Sequence, residues 1–175
     1  MFQVCDAASV GFDPARWERV GELADELCGS GQVGAIGIFV SRGDRTTGTR
    51  LFGRQRLGDD ANGTIRDDAV FLIASITKPI VAMSALLLVE AGQVRLDDRV
   101  SRYLPEFGNN GKNGIRIRHL LTHTSGLPDM LPENQQLREA GAGLEEFVAG
   151  TCRIEPEFKP GRGVQYQSMG FAILG

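Results

Sequence analysis

The stretch Phe71-Leu72-Ile73-Ala74-Ser75-Ile76-Thr77-Lys78 passes from an apolar segment into a second apolar run, Ile80 to Val89. Ile80 to Glu90 are strong helix formers and Gly92 stops them, so a helix is expected to start near Ser75 and end at Gly92. Leu86, Leu87, Leu88 and Val89 make it apolar nearly all round, which predicts a central, buried helix. At its start Ser75 and Lys78 stand three residues apart. That spacing puts them on one face, about 5–6 Å apart at Cβ. A serine hydroxyl is a weak nucleophile until something takes its proton. A lysine does so only as the neutral amine, which needs desolvation or a cationic neighbour. Phe71 to Ala74 and Ile80 to Leu88 are expected to supply the desolvation. Lysine is also scarce: only Lys78, Lys112 and Lys159 occur, and Lys78 lies in the most apolar part of the chain. A helix start further offers backbone N–H groups and a positive dipole end to an oxyanion. Alone, S-x-x-K is a weak signal that occurs by chance in many proteins, and Ser75 as an N-cap with Lys78 reaching to solvent explains it better.

Upstream, Asp13-Pro14-Ala15-Arg16 reads as a helix start, with Asp13 as N-cap and Pro14 in the first turn. Trp17, Val20, Leu23, Leu27 and Cys28 recur at helical spacing until Gly29-Ser30-Gly31, and packing through Val20, Leu23 and Leu27 is predicted. Val33 to Val40 reads as an apolar strand, Ser41 to Asp44 as a turn and Thr46 to Gln55 as the return strand of an antiparallel hairpin. The first strand is apolar enough to expect cover on both faces. Leu57 to Asp68 is a polar connecting loop. Its acidic pairs, Asp59-Asp60 and Asp67-Asp68, lack a third ligand at a recognisable spacing and read as solvated.

Downstream, Leu96 to Pro105 reads as a short helical turn ended by Pro105, and Phe107 to Asn113 as a loop. Ile115-Arg116-Ile117 suggests a short strand and Arg118 to Thr122 a short helix. Thr124 to Asp129 is a turn. Pro132 to Ala140 and Leu144 to Ala149 look helical. Pro160 to Gly163 is a turn leading into Val164-Gln165-Tyr166, and Met169 to Gly175 begins an apolar helix. His119 and His123 sit four apart, as in a zinc helix, but Leu120 stands where H-E-x-x-H has its glutamate, so no metal is expected. Gly141-Ala142-Gly143 and Gly161-Arg162-Gly163 read as turns and not phosphate loops.

Composition narrows the class. The chain has 175 residues, 42% of them hydrophobic and 23% charged, with a net charge of -3. This is a soluble globular composition of about one domain. The charge argues against sequence-independent nucleic-acid binding. Cys5, Cys28 and Cys152 are odd in number and far apart, which fits free thiols. The longest apolar run is about half a membrane span, and Met1 to Asp6 lacks the basic start and apolar stretch of a leader. A cytoplasmic protein without membrane or nucleic-acid partners is expected, unless the true start lies upstream.

Several blocks together resemble the serine β-lactamase-related family, in the branch of class C-like β-lactamases, D-alanyl-D-alanine carboxypeptidases and esterases. They are Phe71 to Lys78; Leu87, Val89, Glu90 and Gly92; Leu96, Asp97, Asp98 and Val100; and Ile117-Arg118-His119-Leu120-Leu121-Thr122-His123-Thr124-Ser125-Gly126-Leu127-Pro128. Tyr166-Gln167-Ser168 with Gly170-Phe171 is similar to that branch's Tyr-x-Asn element. Order and spacing agree over roughly residues 15 to 175. The resemblance implies an α+β fold, an antiparallel sheet flanked by helices with a helical subdomain. The domain is expected as one incomplete unit over 1-175. Residues 13-70 would carry the N-terminal helix and hairpin, and 71-175 the mainly helical part with both motifs.

The resemblance also implies roles. Ser75 is the acylated nucleophile, Lys78 takes or relays its proton, and Tyr166 shuttles the proton to the leaving group. Ser168 stands where the branch usually has Asn and contacts substrate. Its shorter hydroxyl lacks the amide's paired donor and acceptor, which tilts the expectation toward esters over β-lactams or D-amino-acid peptides. No cofactor is implied. The family's chains are about twice this length. The remaining strands of the sheet, a third motif and one N–H of the oxyanion hole are therefore expected beyond Gly175. The isolated chain is expected to be poorly stable or to aggregate. The alternatives are a catalytically incomplete fragment and a non-catalytic sensor or interaction module on the same scaffold.

Overall fold

The computed structural model describes residues 2–55 and 63–175. The expected loop from Leu57 to Asp68 lies in part outside them, Asp59 and Asp60 included. The chain divides into two compact units, Met1–Leu72 and Ile73–Gly175.

The first unit holds β1 (Gln3–Val4), α1 (Ala7–Val10), α2 (Pro14–Gly29), β2 (Ala35–Arg42) and β3 (Arg45–Gly53). Asp13 caps α2 by accepting the N–H of Arg16, and Pro14 sits in the first turn, as read from the sequence. The packed face of α2 differs from the expected one. Val20 and Leu23 are exposed, and Gly21 and Ala24 are buried instead. These small residues let the helix lie close to β3, where the Arg50 guanidinium packs over the hydrogen-only face of Gly21. Strands β2 and β3 pair antiparallel from Ala35↔Gly53 to Phe39↔Thr49, then resume at Ser41↔Thr46 after a bulge. The bulge is fixed by buried Thr46, whose hydroxyl donates to the Val40 carbonyl (2.7 Å) and accepts the Gly48 N–H (3.1 Å). The sequence reading did not foresee β1, which adds parallel to β3 and gives the order β1-β3-β2. Strand β2 is thus an edge of this three-stranded sheet. Cover on both of its faces is not what the structure shows: Phe39 is exposed and its apolar neighbours are half-buried.

The second unit is helical. It contains α3 (Thr77–Glu90), α4 (Ile117–Leu121), α5 (Asn134–Glu139), α6 (Leu144–Arg153) and α7 (Met169–Leu174), with 3₁₀ turns at Ala74–Ile76, Val100–Arg102, Pro105–Gly108 and Lys112–Gly114. Pro105 opens a turn where it was expected to close one, since its fixed φ suits a first helical position. The strand expected at Ile115 to Ile117 is a single bridge, Arg99↔Arg116, and Ile117 already starts α4. The core consists of Val100, Phe107, Ile115, Ile117, Leu120, Leu127 and Cys152. Burying each large side chain of this set stabilises by about 1.5–3 kcal/mol.

Two expectations fail in this unit, and they are linked. Helix α3 is not a buried centre: only Ala85 is fully covered, while Ile80, Met83, Leu86, Leu87 and Leu88 are exposed. Its all-round apolarity exceeds the surface that this unit can cover. The buried lysine is not Lys78 but Lys112, in the segment read as a plain loop. Lys112 Nζ donates to the carbonyls of Cys152 (3.0 Å) and Ile154 and sits over the Phe107 ring. Burial pushes its pKa below the usual lysine range. These acceptors satisfy the ammonium, so its burial serves the fold and ties the end of α6 to the Phe107 turn.

Candidate active site

Ser75 lies in the 3₁₀ turn Ala74–Ile76 that leads directly into α3. Ala74 before it has φ 45, a left-handed conformation that costs a non-glycine residue of order 1–3 kcal/mol. The turn presents the Ser75 hydroxyl to solvent. One turn on, Lys78 Nζ donates to Ser75 Oγ at 3.1 Å. From the other end of the unit, Tyr166 Oη donates to the same oxygen at 2.6 Å. The structure therefore brings Ser75, Lys78 and Tyr166 together. Ser168 joins them: its hydroxyl accepts from Lys78 Nζ at 3.1 Å. The same hydroxyl donates to Asp129 Oδ1 at 2.7 Å.

The environment of Lys78 differs from the expected one. Ile73 and Ile80 are exposed and do not shield it. Its cover comes from aromatic faces, with Nζ 4.6 Å from the centroid of Tyr166 and 5.8 Å from that of Phe171. The lysine is half-buried as a result. Its positive charge acts in turn on Tyr166. Lys78 first, and the hydrogen bond with Ser75 second, hold the Tyr166 phenol below its ordinary pKa. A phenol so placed can give up and retake a proton more readily than a free tyrosine.

The Ile117 to Pro128 block is the frame that holds Tyr166 and Ser168. Gln165 N–H donates to His123 O (2.9 Å), Gln167 N–H to His123 Nδ1 (3.1 Å), and Ser168 N–H to Asp129 O (3.3 Å). Between the two site residues the Gln167 side chain turns inward and is fully buried. Its Nε2 donates to Leu120 O (3.2 Å) and His119 O (3.4 Å), and its Oε1 accepts from Ser125 Oγ. Every polar atom of this buried amide thus has a partner, which fixes the direction of Tyr166 on one side and Ser168 on the other. Gly126 is required here: its φ is 84, and a Cβ would stand 2.2 Å from the Phe158 carbonyl oxygen.

His123 contributes more than its backbone. Its ring lies 4.7 Å from that of Tyr166 at 30° and 5.4 Å from that of Phe171. Because Nδ1 accepts a backbone N–H, the ring is neutral with its proton on Nε2. Burial, then the Lys78 charge, pushes its pKa down and favours that form. His119 plays a similar part at the start of α4, where its Nδ1 accepts the Arg116 N–H at 3.1 Å. Among the described residues no group of three or more His, Cys, Asp or Glu side chains could hold a metal ion.

Sequence reasoning missed Asp129, Gln167 and the ring of His123. Asp129 and Ser168 are 39 positions apart, and no spacing rule relates them. Gln167 carried one available signal, a long polar side chain between two site residues.

A model of the Beta-lactamase family matches residues 20–175. The esterase EstB of Burkholderia gladioli is 36% identical over 160 residues, covering 82% of this chain and 39% of the esterase. Penicillin-binding protein 4* of Bacillus subtilis is 43% identical over 122 residues, 63% of this chain and 25% of that protein. Among solved structures, the D-amino acid amidase of Ochrobactrum anthropi SV3 in complex with L-phenylalanine amide superposes with a TM-score of 0.69 at 28% identity, over 90% of this chain and 43% of the amidase. The penicillin-binding protein homologue of Pyrococcus abyssi has a TM-score of 0.74 at 24% identity, over 91% of this chain and 37% of its own, and shows the fold alone. The chain spans less than half the length of each of these proteins. The α+β fold class read from the sequence is borne out, and the chain belongs to the Beta-lactamase family.

Proposed function

We propose that this chain carries the nucleophile and proton-transfer groups of a serine hydrolase that works through an acyl-enzyme at Ser75. The observation that carries this is the convergence of Lys78 Nζ (3.1 Å) and Tyr166 Oη (2.6 Å) on Ser75 Oγ. Tyr166, its pKa lowered by Lys78, acts as phenolate base. As Ser75 Oγ bonds to the substrate carbonyl carbon, the hydroxyl proton passes to Tyr166 Oη and the carbonyl electron pair moves to its oxygen. Collapse restores the carbonyl and breaks the bond to the leaving group, which takes the proton from Tyr166. A water then gives a proton to Tyr166, attacks the acyl carbon and releases the acid, and Ser75 recovers its proton. Lys78 stabilises the phenolate by charge and orients Ser75 throughout.

The substrate is a small molecule with an acyl group: an ester, a β-lactam or a D-amino-acid peptide. Esters are favoured. The Ser168 hydroxyl is engaged by Lys78 and Asp129, which leaves it poorly placed to donate to an amide on the acyl group. The likeness to an esterase over 82% of the chain supports the same choice. The test is turnover of a p-nitrophenyl ester and of a penicillin by the intact protein and by Ser75→Ala. Turnover by the wild type, lost by at least about a hundredfold in Ser75→Ala, supports the reading. Equal turnover by both proteins contradicts it. Tight ligand binding with no turnover or acylation would favour a sensor on this scaffold.

A further inference from the structure

Asp129 has no place in the acyl-transfer steps above, yet it lies one residue from the nucleophile's lysine through a hydroxyl. Ser168 Oγ is 2.7 Å from Asp129 Oδ1 and 3.1 Å from Lys78 Nζ, and Lys78 Nζ is 3.1 Å from Ser75 Oγ. A second bond, from Ser168 N–H to the Asp129 carbonyl at 3.3 Å, holds the two residues in register. A serine hydroxyl has a single proton and rotates to suit its neighbours. With no acceptor beside it, that proton is free to swing toward Lys78 or toward a bound substrate. A carboxylate at 2.7 Å captures it in a charge-assisted bond, roughly twice as strong as a neutral one.

We propose that Asp129 is a positioning residue of this site: its carboxylate accepts the hydrogen bond of the one Ser168 O–H and so turns an oxygen lone pair toward Lys78. Lys78 Nζ is then held between two oxygens, Ser168 Oγ behind it and Ser75 Oγ ahead. The lysine would otherwise sample several rotamers, and fixing it preserves the approach to the nucleophile. A substrate consequence follows. With its proton committed to Asp129, Ser168 offers no donor to an acyl amide, so the site accepts acyl groups that lack one. This rests on the hydrolase reading above and deepens it.

The test uses the intact protein and kcat and KM on a p-nitrophenyl ester, with thermal melts for folding. The variants are Asp129→Ala, Ser168→Ala, their double, Asp129→Asn and Ser75→Ala. Asp129→Ala is expected to lower kcat about tenfold, with KM within about twofold. Because Asp129 acts through Ser168, the double variant falls no more than about threefold below the worse single variant. Asp129→Asn keeps an oxygen acceptor without the charge and recovers part of the loss. An unchanged kcat in Asp129→Ala overturns the proposal, as does a loss confined to KM or losses that multiply in the double. If Asp129→Ala does not melt like the wild type, Asp129→Asn decides: a kcat lowered two- to fivefold (about that expected for one weakened hydrogen bond) supports the proposal, and a wild-type kcat overturns it. Ser75→Ala keeps the two readings apart. If it stays active, the hydrolase reading fails. If it is inactive while Asp129→Ala matches the wild type, only the role of Asp129 fails.

Discussion

Tyr166 Oη and Ser75 Oγ lie 2.6 Å apart although 91 positions separate them in the chain. Nothing local enforces that contact. It exists because the Tyr166-Gln167-Ser168 segment is bonded along its length to the segment from His119 to Asp129. The proposed nucleophile comes from a helix start, and its proposed base from a strap held by buried polar bonds.

Removing the base should therefore be costly to chemistry and cheap to folding. Tyr166→Phe keeps the ring against His123 and Lys78 and removes only the hydroxyl. Acylation of Ser75 is expected to slow by about 100–10,000-fold, the range of a general base. The melting temperature should stay close to that of the wild type, because Tyr166 is 49% exposed. Stopped-flow release of p-nitrophenol measures the first and calorimetry the second.

The chain's two tyrosines should ionise on opposite sides of the ordinary value of about 10. Lys78 holds Tyr166 below it, and the hydrogen bond to Asp98 at 2.6 Å holds Tyr103 above it. An ultraviolet pH titration should show two separate steps. Tyr166→Phe should remove the lower one, and Lys78→Met should move it upward. Acylation should fall as pH drops through the lower step, because a protonated phenol cannot take the serine's proton.

Acid should weaken the fold in a window set by the two histidines. Both His119 and His123 are pushed down chiefly by burial, so the folded chain takes up their protons at lower pH than the unfolded chain, which does so near 6.5. Below about pH 6.5 the unfolded state then holds more protons, and stability falls as pH falls. His123→Asn tolerates the left-handed backbone (φ 58) and keeps an oxygen acceptor but does not titrate. Its stability should depend less on pH between 6.5 and the native step, as read from urea melts across pH.

Core and buried-cation substitutions should separate packing from polar satisfaction. Leu120 is fully buried, and Leu120→Ala is expected to cost about 2–5 kcal/mol. Lys112→Met retains most of the volume but leaves the Ile154 carbonyl without its donor, while the Cys152 carbonyl keeps Asn110 Nδ2 at 3.3 Å. That orphaned carbonyl costs about 1–3 kcal/mol. Denaturant unfolding of both variants provides the comparison.

The exposed apolar surface of α3 should drive self-association of the 175-residue chain. Ile80, Met83, Leu86, Leu87 and Leu88 lie open on consecutive turns. Light scattering should show oligomers or aggregates, with Leu87→Glu reducing them. A monomeric wild-type chain at tens of micromolar would contradict this expectation.

What the sequence conveyed was local. Asp13-Pro14 marked the start of α2, and an apolar run followed by the Ser41 to Asp44 turn marked the hairpin, because caps and turns are written in neighbouring residues. Ser75 and Lys78 were legible as a pair for the same reason, since one helical turn relates them. Tyr166 and Ser168 were reached only through resemblance, because their distance from Ser75 depends on tertiary structure. Burial was the least legible property. Apolar composition marked α3 as central and Lys78 as shielded, whereas the covered lysine is Lys112, whose acceptors lie 40 and 42 positions away. Asp129 sat in an ordinary turn sequence, and only folding gives it Ser168 as a partner.

The central claim is that Ser75 forms a covalent acyl intermediate. Intact-mass spectrometry of the protein after exposure to an activated ester, with peptide mapping and a Ser75→Ala control, tests it most directly. The account predicts a mass increase of one acyl group, located on Ser75 and absent from the control. Turnover of the same ester with no acyl adduct, or an adduct that persists in Ser75→Ala, would contradict it.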